Sequence, residues 1–364
     1  MADLAVEIAG IRFRNPVLTA AGPTSRNGEA LLKAASGGAG GLVAKTVSTK
    51  PAIVPKPNMA ALQPGKVGSR RGMLNSELWS ELPLGKWLKH EYPLALSSGL
   101  PVIASIGYTP QEVAQIGPMI EKAGVSAIEF STHYVGGHAE IAKALRDIVS
   151  IPIFAKISPQ VDVAKVAKTL EPYVDGIVAI NTLGPCLHID IETGRPVLGG
   201  EKGYGWLSGA AIKPLAVRCV ADIAQTVDLP VIAVGGVMSG EDAIEFFMAG
   251  ASAVQVCTAG ILEGPTVYRR IAAEISDWLD SHGHESVESV RGIALKRLGE
   301  KERLSYPPAV DATRCNFCGL CSKTCAYSAI LVDKEKESIQ FDREKCAACG
   351  MCVSICPQYA LNDR

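Results

Sequence analysis

Three features are scarce in this chain. Aromatic residues make up only 5% of its 364 residues, too few to interleave with basic side chains into a base-stacking surface. Charge of one sign is missing too: 36 Lys and Arg face 37 Asp and Glu, for a formal net charge of -1. No bulk field would therefore gather nucleic acid. No apolar run approaches the roughly 20 residues of a membrane span. The opening MADLAVEIAGIRFRNP has no basic stretch followed by an apolar one, the mark of a secretory signal. The expectation is a protein with no nucleic-acid partner and no membrane span. What is present is 48% hydrophobic and 20% charged residues, enough for one large domain and a small one.

Cysteine is the opposite case. Eight of the 11 fall in the last fifty residues, as Cys315, Cys318, Cys321, Cys325 and then Cys346, Cys349, Cys352, Cys356, the second run followed by Pro357. Each run reads C-x2-C-x2-C-x3-C, the spacing of a bacterial two-cluster ferredoxin, in which each fourth Cys ligates the other cube. Cys315, Cys318 and Cys321 with Cys356, and Cys346, Cys349 and Cys352 with Cys325, are expected to hold two [4Fe–4S] clusters. A disulfide framework and a zinc site are the competing readings. Zinc usually takes paired C-x2-C spacings rather than two runs of four. So many thiols also suit a reducing cytoplasm, where disulfides are rare, and a cytoplasmic location is expected. Two one-electron centres imply a protein that moves electrons.

Upstream of residue 300, short β-branched runs alternate with amphipathic stretches. Eight runs read as strands: Val17–Ala21, Gly41–Thr46, Val102–Ile106, Ala127–Phe130, Ile153–Lys156, Gly176–Ile180, Val231–Val234 and Ala253–Val256. They are almost continuously apolar, as parallel strands covered on both faces are. Helical patterns such as Pro110–Ala123, Ala139–Val149, Val161–Leu170, Ile212–Val227 and Gly240–Met248 lie between them. The alternation predicts an α/β fold, a (β/α)8 TIM barrel over residues 1–300. A linker with Pro307-Pro308 would occupy 301–313, and a small two-cluster ferredoxin-type α+β domain 314–364. A doubly wound open sheet is the rival, weakened because no G-x-G-x-x-G follows the first strand. The same lack leaves the chain without a pyridine-nucleotide fingerprint. Val6–Ile8 and Ile11–Phe13 read as a hairpin closing the barrel floor.

Barrel active sites sit at the C-terminal ends of the strands. Lys45 ends the second strand, Lys156 the fifth, Asn181-Thr182 the sixth and Cys257-Thr258 the eighth, and Gly235-Gly236 follow the seventh. One strand-end Lys is as often a salt-bridge residue as a functional one. Two lysines, an Asn and glycine-rich turns on one rim are harder to explain structurally. The turns after strands seven and eight are the usual phosphate site of such barrels. There Gly235 and Gly236 let backbone N–H groups approach an anion at the start of the next helix, and Ser208-Gly209 would add donors.

Several segments together resemble the dihydroorotate dehydrogenase family of FMN barrels over most of residues 1–298. They are Asn181-Thr182-Leu183-Gly184, Ser208-Gly209-Ala210-Ala211-Ile212-Lys213-Pro214, Gly235-Gly236 and Gly250-Ala251-Ser252-Ala253-Val254-Gln255-Val256. Joined to the cysteine runs, the layout is similar to the pyrimidine-binding part of dihydropyrimidine dehydrogenases, and Met73-Leu74-Asn75-Ser76-Glu77-Leu78 resembles a segment of that part. The resemblance implies FMN, its phosphate on Gly209, Gly235, Gly236, Cys257 and Thr258 with Ser208 alongside. It places Ala20, Ala21 and Gly22 along the isoalloxazine and Lys45 and Thr46 beside it. Lys156 would face the pyrimidine edge, where a cation stabilises the charge of the reduced ring. Asn75, Glu77, Asn181 and Thr182 would face substrate.

After strand four, the family carries a segment like E-L-N-x-S-C-P, whose Cys transfers a proton and whose Asn binds substrate. This chain reads Glu129-Phe130-Ser131-Thr132-His133-Tyr134-Val135, so Ser131 stands for the Asn and Tyr134 for the Cys. The substitution predicts a substrate other than dihydroorotate or uracil, with Ser131 on its binding face. Tyr134 is the expected acid, since a neutral phenol can protonate one carbon as hydride reaches the other. His133, which titrates near neutral pH, is the next candidate, then Cys186. Lys45 is grouped with Tyr134 and His133 as catalytic. Packing or solvated roles are the plain alternatives for each. Lys50, Lys56, Lys66, Arg70 and Arg71 lie among Pro and Gly. They read either as a solvated loop or as a lid that draws in an anionic substrate such as an acyl thioester.

The sequence thus describes an iron–sulfur flavoprotein oxidoreductase working on a CH–CH bond beside a carbonyl, in a small cyclic or acyl substrate. Electrons would pass through the clusters to or from a ferredoxin or an FAD/NAD(P)-binding subunit, and the resemblance implies a homo-oligomer. Two alternatives stand beside it. One is a true dihydropyrimidine or dihydroorotate dehydrogenase subunit with a substituted acid. The other is a non-catalytic FMN/Fe–S electron-transfer subunit.

Overall fold

The computed structural model describes residues 2–62, 72–131, 137–299 and 306–362. The chain divides into two compact units, Met1–Arg297 and Leu298–Arg364.

In the first unit eight strands form one parallel sheet: β1 (Val17–Thr19), β2 (Leu42–Val43), β3 (Val102–Ile106), β4 (Ala127–Ser131), β5 (Ile153–Ile157), β6 (Gly176–Ala179), β7 (Val231–Val234) and β8 (Ala253–Val256). Neighbours in sequence are neighbours in space, and β8 pairs with β1. The ring closes between β1 and β2 through a parallel bridge, Leu18 to Gly41, with Thr19 N–H donating to the Gly41 carbonyl at 3.2 Å. The result is the expected (β/α)8 barrel. All its strand residues are buried, which explains why they read as nearly continuous apolar runs.

Helices separate the strands, among them Gly28–Ser36, Pro110–Lys122, His138–Arg146, Val163–Leu170, Lys213–Ala224 and Gly240–Met248, and Val267–Ser281 follows β8. Four begin on a side-chain cap that accepts a backbone N–H, from Asn27, Thr109, Asp162 and Ser239. Such caps satisfy donors the first turn leaves open.

Side chains alternate across a strand, and every barrel strand sends one apolar residue into a shared inner layer: Leu18, Val43, Ile103, Ala127, Phe154, Val178, Ile232 and Ala253. The hairpin of Val6–Ile8 with Ile11–Phe13 adds Ile8 and Phe13 to this cluster. The floor is therefore plugged with apolar side chains. Two residues beyond Val43, Ala127, Phe154 and Ala253 the chain carries polar side chains: Lys45, just past the end of β2, then Glu129, Lys156 and Gln255. The polar layer lies on the C-terminal side.

A second sheet has four antiparallel strands, in the order Leu183–Cys186, Gly205–Gly209, Gly72–Asn75 and Met59–Ala61. No periodicity in the sequence announced it.

The second unit repeats itself. Cys346 follows Cys315 by 31 residues (346 − 315), and the backbone repeats at the same interval. Phe317, Gly319 and Ser328 have φ of 52°, 77° and 51°, and Ala348, Gly350 and Tyr359 have 54°, 76° and 51°. Short helices Leu320–Lys323 and Met351–Ser354 follow the two glycines. Strands Ile330–Asp333 and Ser338–Phe341 pair, as do Ala309–Val310 and Leu361–Asn362. Ala309–Val310 lies inside the stretch expected to be linker, and so belongs to this unit's structure instead. Among the described residues, no helix is long and apolar enough to cross a membrane.

Candidate active site

A cleft opens at the C-terminal end of the barrel. Of the site residues expected in the barrel and described by the structure, all line it except Cys186 and the loop lysines Lys50 and Lys56. One side is Ala20, Ala21, Gly22, Lys45 and Thr46; another is Ser208, Gly209, Gly235, Gly236, Cys257 and Thr258. Asn75, Glu77, Ser131, Asn181, Thr182 and Lys156 also line it. Tyr134 and His133 lie outside the described residues, as do Lys66, Arg70 and Arg71. Cys186 is not among the lining residues, and its thiol donates to the Leu183 carbonyl of its own strand at 3.6 Å.

The turn after β7 is shaped for an anion. Gly235 and Gly236 have φ of 128° and 89°, a region where a Cβ is strained. A Cβ on Gly236 would also come within 2.7 Å of the Lys213 Cβ and 2.9 Å of the Gly209 carbonyl. The turn is braced from outside. The Asp242 carboxylate accepts from Met238 N–H at 2.9 Å and from the Lys213 ammonium at 2.7 Å. Burial works against the Lys213 charge, but hydrogen bonds to Asp242 and Glu245 outweigh it and raise its pKa. Opposite, the Thr258 hydroxyl donates to Ser208 Oγ at 3.0 Å. This cradle fits a phosphate. Gly236→Ala should weaken FMN binding to the apoprotein by roughly tenfold, for about 1–2 kcal/mol of backbone strain. Quenching of flavin fluorescence on titration would measure it, and unchanged affinity would remove the turn from the phosphate site.

Two buried cations serve the rest of the cleft. Lys45, 6% exposed, is ion-paired to Glu77, whose other oxygen accepts from the Asn58 amide. Lys156, also 6% exposed, lies 3.4 Å from the Glu129 carboxylate and donates to Gln255 Oε1 at 3.2 Å. The Gln255 amide in turn donates to Glu129 at 2.6 Å. Asn75 donates to the Trp206 carbonyl at 3.1 Å and accepts from Glu77 N–H at 3.2 Å. Asn181 donates to the Ser131 hydroxyl at 3.1 Å. Burial pushes the Cys257 thiol up, against the lowering pull of Lys156 and Lys45, so at neutral pH it lines the cleft as a neutral group.

Among the lining residues not foreseen as site residues are three with polar groups: Tyr108, Trp206 and Gln255. Gln255 had a signal, being a lone polar residue at an inward position of an apolar strand, and so did Glu129 beneath it. Tyr108 had none. Burial first, and then Glu112, push its phenol well above the ordinary tyrosine range, with a hydrogen bond to Thr46 opposing them.

In the second unit the eight cysteines fall into two cavities. Cys315, Cys318, Cys321 and Cys356 line one, and Cys325, Cys346, Cys349 and Cys352 line the other. No disulfide joins them, and all are free thiols. Four thiols around each space is the donor set a [4Fe–4S] cube takes.

A barrel with an anion cradle, cationic cleft and four-cysteine cavities defines an iron–sulfur flavoprotein oxidoreductase. Comparison with known proteins narrows the class. Residues 135–279 match the family described as dihydroorotate dehydrogenase, and residues 307–357 match the 4Fe-4S dicluster domain. The catalytic subunit of dihydroorotate dehydrogenase B (NAD(+)) from Pyrococcus abyssi is 36% identical over 312 residues, covering 80% of this chain and 99% of the relative. The corresponding subunit from Methanothermobacter thermautotrophicus is 34% identical over 307 residues, covering 80% and 98%. The chain belongs to the dihydroorotate dehydrogenase family. It is an oxidoreductase of the kind that acts on CH–CH groups, and its cofactors are FMN and two [4Fe–4S] clusters.

Proposed function

We propose that the chain oxidises or reduces a carbon–carbon bond next to a carbonyl in a small cyclic or acyl substrate other than a pyrimidine. When bound, FMN supplies the hydride chemistry and the clusters exchange single electrons with a partner. Asn75 and Asn181 would each present amide hydrogens to the carbonyl, holding it against the flavin face. Lys156 would hold positive charge under the pyrimidine edge, and Lys45, anchored by Glu77, would do so beside the reacting bond. Tyr134, with His133 as the next candidate, would deliver the proton to the second carbon.

The observation that carries the reading is Ser131. It stands where the family's substrate-binding Asn is expected, and its hydroxyl is engaged by Asn181 at 3.1 Å. That leaves fewer amide groups for a ring with several carbonyls and N–H groups. Anaerobic reoxidation of the dithionite-reduced protein tests this. Cyclic enones or enoyl thioesters should reoxidise it, while orotate and uracil should not. Tyr134→Phe should slow this reoxidation by about 100-fold or more with FMN retained.

A second reading, a dihydroorotate or dihydropyrimidine dehydrogenase subunit with a substituted acid, is favoured by the relatives' names and their coverage. Reoxidation by orotate or uracil would select it. In that case Tyr108, a phenol kept protonated in the cleft wall, is the alternative proton donor, and Tyr108→Phe rather than Tyr134→Phe would be slow. Reoxidation by none of these compounds would leave the barrel as an electron relay. The relatives' names specify NAD(+) and a catalytic subunit, which supports an FAD/NAD(P)-binding partner subunit over a ferredoxin. We also propose that the chain assembles as a homo-oligomer in the cytoplasm.

A further inference from the structure

We infer that Glu129 is a positioning residue that sets the electrical potential of the flavin site through Lys156, with Gln255 fixing the carboxylate. The inference rests on FMN occupying the cleft. Lys156 and Gln255 line that cleft, but Glu129 does not. It lies beneath them, fully buried at 0% exposure, with Gln255 at 1%. The three come from different strands, β4, β5 and β8, at inward positions directly above the apolar layer of Ala127, Phe154 and Ala253.

The arrangement has a direction. The Gln255 amide donates to one Glu129 oxygen at 2.6 Å and its carbonyl accepts from Lys156 at 3.2 Å. The other Glu129 oxygen lies 3.4 Å from the Lys156 ammonium and has no hydrogen-bond partner among the described residues. Gln255 therefore clamps both members, and the spare carboxylate oxygen is aimed at the cation. Water does not reach this carboxylate, so its field is weakly screened. A packing role would be served as well by an apolar residue of similar size. The cost of burying a carboxylate is explained if its charge matters. Lys156 alone would place a full positive charge under the flavin, and Glu129 cancels part of it. Glu129 thereby holds the flavin potential below what the lysine would impose.

The test is a potentiometric titration of the flavin band in the full-length holoprotein, with its clusters in place. Flavin released on denaturation is counted separately, so a failure of the cofactor reading shows as absent FMN and is distinct from a failure of this one. Glu129→Gln should shift the midpoint potential upward and Lys156→Gln should shift it downward. The double variant should return toward the wild-type value, because opposite charges have been removed together. Raised salt should leave the shifts in place, since the charges are buried. An unmoved or lowered potential in Glu129→Gln with FMN bound would overturn the inference. If Glu129→Gln fails to hold flavin, the double variant decides, since it carries no buried unpaired charge. A double-variant potential equal to that of Lys156→Gln alone would show that Glu129 contributes nothing.

Discussion

Replacing Cys356 with serine should cut the iron content from roughly eight to roughly four atoms per chain, while FMN stays bound. Partner-linked electron transfer should fall to background. Cys356 belongs to the second cysteine run by sequence, yet it lines a cavity with Cys315, Cys318 and Cys321 of the first. The variant would therefore leave the first run's cube with three thiolates and leave Cys346, Cys349, Cys352 and Cys325 complete. Cys325 is the mirror case. Their environments match: Ala360 N–H donates to Cys356 Sγ at 3.4 Å, and Ala329 N–H to Cys325 Sγ at 3.3 Å. Pairwise variants make the assignment sharp. Adding Cys315→Ser to Cys356→Ser should cost no further iron, because both serve one cube. Adding Cys346→Ser should remove the rest. The reverse pattern would mean that each run holds its own cluster. Iron and acid-labile sulfide analysis of anaerobically purified protein measures all of this, and dithionite-reduced FMN should still form in each variant.

The sharing of each cavity between the two cysteine runs agrees with the spacing, because a fixed spacing constrains chain geometry. The barrel was readable for a related reason. Strands buried on both faces leave a contiguous apolar signature, so Val102–Ile106, Val231–Val234 and Ala253–Val256 appear in the structure with the bounds the sequence suggests. The ends of β1 and β2 were read too long. Ala20, Ala21, Lys45 and Thr46 leave the ladder to form the cleft wall, and their composition does not register the departure. Helix bodies were legible, and their ends moved by one to three residues, since Val163 and Lys213 rather than Val161 and Ile212 begin their helices.

What escaped was structure held by partners distant in sequence. Gly72–Asn75 is a strand because Gly205–Gly209 and Met59–Ala61 lie on either side of it, and its own residues do not alternate in polarity. Tyr108 faces the cleft because its loop is pinned, its N–H donating to Glu112 at 2.7 Å. The Glu129, Lys156 and Gln255 group joins residues as much as 126 positions apart. Each member shows locally only as a polar residue at an inward phase of an apolar strand. That is a signal of burial, and it does not name the partner.

Lys45→Met should lower both stability and turnover, and the two losses should separate. The Lys45–Glu77 pair is nearly buried, with side chains 7% and 15% exposed. Removing one member of a buried pair strands the other charge, typically at 3–5 kcal/mol. Glu77 keeps its bond from Asn58 and faces the open cleft, so about 2–3 kcal/mol is expected, or a fall of roughly 4–6 °C in Tm. Lys45→Met/Glu77→Leu removes both charges and should recover most of that loss, because no unpaired carboxylate remains. Turnover should not recover. If Lys45 acts on charge developing at the reacting bond, its loss costs about 100-fold in kcat or more, and apolar replacement of Glu77 cannot return the cation. Calorimetry of the two variants beside single-turnover reduction decides it. A double variant that regains both stability and rate would make Lys45 a structural residue, and the cleft's chemistry would then rest on Lys156 and the loop after β4.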